Sequence, residues 1–180
     1  LTGLTALPVL LVRLHDAIRR ARRSRQECAL VLVELSNHAE IVAAEGRLMG
    51  DRALVVAASQ LSSVVRDIDT VCRVSNTRFA LLIEAPYRSA LLAVLAQHII
   101  AKGLAGVHPV PLHLSPRFRV VTLALPDRSG SAPIAEEMDV EQMLQRLHRA
   151  LDRLEPKKVV LHLPLPTPAP ASAAASAQTA

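Results

Sequence analysis

A chain of 180 residues with 51% hydrophobic content holds material for one core and an appended segment. Aromatic residues make up 2% and Trp is absent, so that core must be built from Leu, Val, Ile and Ala, and the scarcity of rings for base stacking argues against nucleic acid as a partner. The formal net charge of +5 is uneven, with Arg13, Arg19, Arg20, Arg22, Arg23 and Arg25 crowded into one stretch; this run reads as a solvated helix face, the alternative being contact with an anionic ligand or surface.

Leu7, Leu10, Leu11, Leu14 and Ile18 recur at helical spacing with arginines on the other faces, which predicts an amphipathic first helix of about five turns. The run from Cys28 to Leu35 is continuously apolar and predicts a buried strand. Cys28 there and Cys72 further on, the two cysteines of the chain, both lie in apolar runs. They are expected to be buried free thiols, which suggests a reducing compartment. Ser36 and Asn37 are expected to cap a short helix that runs through Glu45 and breaks at Gly46. Leu54, Ala57, Leu61 and Val64 mark a second helix ending near Arg66.

Thr70 to Val74 and Arg78 to Glu84 predict a hairpin, with Ser75 and Asn76 as turn residues. A helix over Ser89 to Lys102 stops at Gly103. Its apolar part, Ala90 to Ala101, is too short to span a bilayer and contains Gln97 and His98. Gly106 to Pro116 reads as a loop, Arg117 to Leu125 as a strand, and Asp127 to Pro133 as a second loop. Val140, Leu144, Leu147, Leu151 and Leu154 form a helical stripe ended by Pro156, and Lys158 to Leu163 is a last strand. From Pro164 to Ala180 the chain is uncharged Pro, Ala, Ser and Thr, which cannot bury a core and is expected to be disordered. The domain is therefore placed at 1–163 and the tail at 164–180. A hairpin inside an alternating pattern predicts an α+β fold, with a mostly antiparallel central sheet flanked by helices. The strand Cys28 to Leu35 should lie beside the hairpin.

Four segments at fixed mutual spacing carry a resemblance. They are Leu1-Thr2-Gly3-Leu4, the strand end Glu34-Leu35-Ser36, the run Asn37 to Asp51, and Arg66-Asp67-Ile68-Asp69 with the hairpin tip Ser75-Asn76-Thr77-Arg78-Phe79. Together they resemble, without a gap, the GGDEF domain family of diguanylate cyclases, and the element order fits to about Leu163. The resemblance implies the family's nucleotide-cyclase-like palm, a ferredoxin-like sheet with helices on it, and a place in bacterial cyclic di-GMP signalling. Active members join two GTP molecules with two divalent metals, and such hard cations take carboxylate ligands.

At the positions that matter, this chain departs from the family. Glu34 keeps a carboxylate at the end of the first strand, one methylene longer than the family's Asp. Thr77 and Arg78 stand where the family has acids, and a cation at the second place opposes a metal. Ser75 and Asn76 replace the two glycines that let backbone approach phosphate, although Asn76 can adopt a positive φ. Val42 replaces an Asn that reads guanine, while Asp51 remains; Glu155 stands nearest to a basic phosphate ligand. These departures imply a degenerate, catalytically inactive domain with no catalytic residues, no metal site and no cofactor. No G-x-x-x-x-G-K-[ST] loop is present.

Arg66 and Asp69 match the family's inhibitory site for cyclic di-GMP. A guanidinium can fork onto phosphate or a guanine edge, and a carboxylate can accept from guanine N1 and N2. The pair can equally be a surface ion pair. The helix arginine that usually completes the site falls at Gln97 or His98, and Arg20 or a neighbour from a second subunit is an alternative supplier. Two readings stay open: a cyclic di-GMP receptor, and a protein-interaction or dimerisation module that binds no nucleotide. An active cyclase stands third. Expected partners are cyclic di-GMP, other domains of a longer signalling protein and a second copy of the chain. A cytoplasmic location is expected. The chain opens at Leu1 rather than Met and is expected to be a piece of a longer protein, which leaves room for a membrane anchor elsewhere in it.

Overall fold

The apolar runs of the sequence assemble into one five-stranded sheet. The structure is a computed structural model that describes residues 2–104, 115–125, 139–155 and 157–163. Strand β1 (Glu27–Leu35) is the centre of the sheet. It pairs antiparallel with β3 (Arg78–Tyr87) on one side and with β4 (Phe118–Leu125) on the other. Strand β2 (Thr70–Arg73) lies outside β3, and β5 (Val160–Leu163) runs parallel to β4 at the far edge, so the order is β2-β3-β1-β4-β5. The strand from Cys28 and the hairpin thus lie side by side, as expected. The tail 164–180 and most of the two expected loops, 106–114 and 127–133, lie outside the described residues.

A central strand with helices on both faces must be apolar where they cover it, and β1 is so from Cys28 to Val33, with Glu27 and Glu34 near its ends. Its odd-numbered residues Ala29, Val31, Val33 and Leu35 pack under α2 (His38–Glu45), α3 (Arg47–Val64) and α4 (Leu92–Leu104). Its even-numbered Cys28, Leu30 and Leu32 pack under α1 (Leu7–Ser24) and α5 (Val140–Asp152). Both phenylalanines of the chain, Phe79 and Phe118, sit in the first layer. The second layer is aliphatic, closed by Leu10, Leu14 and Ile18 of α1 and by Leu144, Leu147 and Leu151 of α5. Each such side chain taken fully out of water stabilises the fold by about 1.5–3 kcal/mol. Cys28 and Cys72 are free and buried in this layer, and burial pushes their thiols up to about 12 and about 11.

Three local expectations change. Asn37 does not cap α2 through its side chain. It is buried, its amide donates to the Ser115 carbonyl and its oxygen accepts from the Arg117 backbone N–H, so it ties α2 to the start of β4. Gly103 does not stop α4, which runs to Leu104 after a 3-10 turn at Ser89–Leu91. A Cβ at Gly103 would collide with the Pro116 carbonyl and the Phe118 ring, so the glycine serves close approach of α4 to β4. Asn76 keeps a negative φ; among the described residues Arg25 is the non-glycine with a positive one, at +52°.

The pairing of β1 with β3 shifts between Ala29↔Ile83 and Glu27↔Tyr87, so β3 carries extra residues there, including Pro86, which has no N–H to give to the ladder. This irregularity and the hairpin tip lie at opposite ends of β1, and each places one candidate site.

Candidate functional sites at the two ends of the central strand

At the hairpin end, strand register decides the chemistry. Glu34 is paired across the sheet with Arg78 of β3 on one side and Arg119 of β4 on the other. All three side chains leave the face covered by α1 and α5. One Glu34 oxygen accepts from Arg78 Nε at 3.1 Å and Nη2 at 3.0 Å; the other accepts from Arg119 Nε at 2.9 Å, with Arg119 Nη2 in ion-pair contact at 2.7 Å. Three N–H donors and the ion-pair contact engage both oxygens of the carboxylate. The three groups are 15%, 17% and 17% exposed, so solvent screens them little.

Helix α5 closes the arrangement. Arg78 also pairs with Asp152 and lies 3.0 Å from His148 Nδ1. A guanidinium can only donate, so Nδ1 is the acceptor and His148 is neutral. Arg119 donates to the carbonyls of Leu151 and Leu154 at the C-terminal end of α5. Burial works against the Arg78 charge, but the hydrogen bonds to Asp152 and Glu34 outweigh it and raise its pKa. Burial and then the nearby Arg78 lower the pKa of His148, and the hydrogen bond from Arg78 lowers that of Asp152.

A divalent-cation pair does not fit these residues. Both Glu34 oxygens are already engaged, two fixed cations flank them, and Thr77 offers a neutral hydroxyl. Among the described residues no three His, Cys, Asp or Glu side chains gather as a ligand set. The hairpin tip is held by its own chain: Arg73 donates to the carbonyls of Ser75 at 3.1 Å and Asn76 at 2.7 Å, and Leu35 N–H donates to the Thr77 carbonyl at 2.9 Å. A polar pocket of about 490 Å³ remains beside it, walled by Glu34, Ser36, His38, Thr77, Arg117 and Arg119. Val42 and His38 fill the space against Gly50, where a Cβ would collide with Val42 and crowd His38. Asp51 is half-buried one turn into α3, and Glu155 is exposed beyond α5.

At the other end, Arg66 and Asp69 meet, but they face each other and the backbone. Arg66 Nε and Nη2 donate to the two Asp69 oxygens at 3.2 and 3.0 Å, and the Arg66 backbone N–H adds a third bond at 2.9 Å. Asp69 also accepts from the Glu84 N–H at 2.9 Å, while Arg66 donates to the Glu84 carbonyl. Strand β2 reaches only to Leu82, so this pair satisfies the backbone groups of Glu84 that the irregular part of β3 leaves over. Asp69 is 2% exposed and Arg66 44%. Beside Arg66 lies a second pocket of about 490 Å³, whose wall includes Arg25, Tyr87 and Arg88. Gln97 and His98 stand on α4 and do not line it; Arg20 is engaged with Glu84 of its own chain at 2.6 Å.

Sequence reasoning missed Arg119, His148 and Asp152 at the first end and Arg25 and Arg88 at the second. Arg119 had a signal, a charge two residues into an otherwise apolar strand, and His148 and Asp152 are four apart on one helix face.

The family model for the diguanylate cyclase GGDEF domain matches residues 1–159. The bifunctional diguanylate cyclase/cyclic di-GMP phosphodiesterase MucR of Pseudomonas aeruginosa is 34% identical over 96 residues, covering 51% of this chain; the chain spans 14% of that protein's length. Among solved structures, the GGDEF domain of YfiN from Pseudomonas aeruginosa superposes with a TM-score of 0.72 at 24% identity, covering 91% of this chain and 100% of that one. The GGDEF domain of DgcB from Caulobacter crescentus, solved with c-di-GMP, gives 0.68 at 14% identity, covering 84% and 82%. With its sheet order, its hairpin and this match, the chain belongs to the GGDEF domain family.

Proposed function

We propose that this domain is a catalytically inactive regulatory member of its family, which has exchanged the metal-dependent site for an internal ion network. The observation that carries the reading is the Glu34 carboxylate, held on both oxygens by Arg78 and Arg119. A cyclase must bring two metal ions and two triphosphates to this end of the sheet. Here the one acid at the metal position is neutralised by guanidinium groups that cannot give up their protons. Val42 supports the same reading, since it offers no hydrogen bond to a base and packs against Gly50. Incubation with GTP and magnesium or manganese should give no cyclic di-GMP above background. Robust synthesis would end this reading.

The regulatory part is carried by Arg66. Its guanidinium is half-exposed, fixed by Asp69, and set at the mouth of a concave pocket, so it can meet a phosphate without being reorganised. We infer a cyclic di-GMP receptor, with Arg66 as the main charge-assisted contact. Arg66→Ala should weaken binding by about 1.5–3 kcal/mol, roughly tenfold to 150-fold. Arg66→Lys should not restore it fully, because an ammonium lacks the planar fork. The burial of Asp69 favours the rival reading, a docking or dimerising module that binds no nucleotide. Isothermal titration with cyclic di-GMP separates the two: no heat and no thermal shift at millimolar ligand leaves only the rival.

A further inference from the structure

The helical layer over the odd-numbered side of β1 ends in a surface without formal charge. Residues 53–64 of α3 and 92–101 of α4 include no Asp, Glu, Lys or Arg, although charged residues make up 21% of the chain. The two helices are joined where Gln60 Nε2 donates to the Lys102 carbonyl at 2.9 Å, so their outward sides form one patch. On it Val55 and Val94 stand out at 41% and 64% exposure. Around them lie the exposed neutral residues Ser59, Ser62, Gln97 and Ala101. Single exposed valines are ordinary; a two-helix face that carries them and is depleted of charge has the composition of an interface core.

Charge decides what can cover this face. The chain carries a net charge of +5, and α1, on the other side of the sheet, exposes Arg19, Arg20 and Arg23 close together. A partner of acidic character would gain most on those arginines and nothing on the neutral face. A second copy of this chain is in the reverse position. A two-fold contact sets a patch against itself, so an arginine-bearing face meets its own charge and the neutral face meets none. The relief suits self-packing as well: the valines are ridges, and the serines and the alanine leave the grooves that a helix from the other copy needs. Arg52 and Lys102 border the patch, where solvent reaches and screens them.

Size sets the strength. Helices of 18 and 13 residues are about 27 and 20 Å long and about 10 Å wide. They offer roughly 500 Å² on each copy, about 1,000 Å² in all, the low end for a specific contact and the range of weak, reversible ones. We propose that the α3–α4 face is a self-association surface, on which two copies of this domain pair about a two-fold axis as a weak dimer. Arg66 and Asp69 take no part in it, so self-association and cyclic di-GMP binding stand or fall separately.

The test is sedimentation velocity of the 180-residue chain from about 10 µM to about 1 mM, the span over which a contact of this size forms. The sedimentation coefficient should rise with concentration. Val94→Asp puts an uncompensated charge into the contact and should raise the dissociation constant about tenfold or more. Ser59→Asp probes the same face from α3 and should act alike. Val12→Asp is the matched control: Val12 is also 64% exposed and the substitution changes the net charge equally, but it stands on α1, across the sheet. It should associate as the parent does. Raising salt from about 50 to about 500 mM should strengthen association by screening the net charge, whereas a contact made through the arginines would weaken. Thermal melts of the three variants should stay near the parent's, as surface substitutions do; if Val94→Asp unfolds early, Ser59→Asp decides. A parent that stays monomeric at about 1 mM at both salt levels overturns the proposal. So does association that a folded Val94→Asp or Ser59→Asp variant leaves intact, or that Val12→Asp abolishes.

Discussion

Arg78 and Arg119 approach Glu34 from the two neighbouring strands, Arg78 Nη2 at 3.0 Å from one oxygen and Arg119 Nη2 at 2.7 Å from the other. The relationship is set by register alone. Once β1 is central and Glu34 is its penultimate residue, positions 78 and 119 are its only cross-strand neighbours. Two arginines there make a row of alternating charge across three strands, and α5 is fastened onto that row.

Replacing the hairpin residues by acids should not recover synthesis. In Thr77→Asp with Arg78→Glu, Arg119 still holds Glu34, the tip still carries Ser75 and Asn76 in place of glycines, and Val42 still lies against Gly50. The double variant incubated with GTP and manganese is expected to stay at background by chromatography of the products. Turnover comparable with an active cyclase would show that the hairpin acids alone were missing.

Removing Glu34 should cost more than removing either arginine. Glu34→Ala leaves two largely buried guanidinium groups facing one another with Asp152 as the nearest acid, and loss of one side of a buried ion pair costs about 3–5 kcal/mol. Arg78→Ala leaves Glu34 still paired with Arg119 and should cost less. Urea unfolding of the three variants, Arg119→Ala included, gives the order directly; an Arg78→Ala variant less stable than Glu34→Ala would mean the carboxylate is not the centre of the network.

Stability should fall as the solution turns mildly acidic. His148 faces Arg78 from β3, Glu34 from β1 and Asp152 on its own helix; burial and Arg78 lower its pKa below the ordinary 6.5. The folded state therefore prefers the neutral ring. That contribution is fully present above 6.5, the unfolded value, and is lost as pH drops from there through the folded value. Asp152, also lowered, acts in a separate window below its ordinary 3.8. Melting curves of the parent and His148→Gln across pH 8 to 5 should converge in shape only if His148 contributes nothing.

Asp69 should prove more important to the fold than to any ligand. Asp69→Ala strands the Arg66 N–H and the Glu84 N–H and frees the Arg66 guanidinium, and a buried donor left unsatisfied costs about 1–3 kcal/mol. Hydrogen exchange at Glu84 should accelerate in that variant. Unchanged protection there would show that the backbone does not depend on this carboxylate.

Much of the sheet is readable from the chain because its signals are local. The apolar run from Cys28 to Leu35 needs no partner to be recognised, and the hairpin is bounded by Ser75 and Asn76. The Arg66–Asp69 contact follows from three-residue spacing. What escaped depends on which strands become neighbours. Arg119 meets Glu34 across 85 positions of chain, and Asn37 meets Ser115 and Arg117 across 78 and 80. An Asn before a helix looks like a cap until β4 arrives beside it. Arg25 and Arg88 are likewise distant in sequence, brought together by an irregularity in β3 that only the paired strands reveal.

The opening segment has a bearing on self-association. Strand β2 is four residues long and forms one rim of the sheet, and Thr5 makes a parallel bridge to Cys72 on its outer side. An unpaired rim invites the strands of another molecule. Here Thr5, just before α1, already sits there, so the rim is blunted by the chain itself. Deleting 1–5 would expose it, with concentration-dependent aggregation as the expected phenotype while α1 and its core contacts persist.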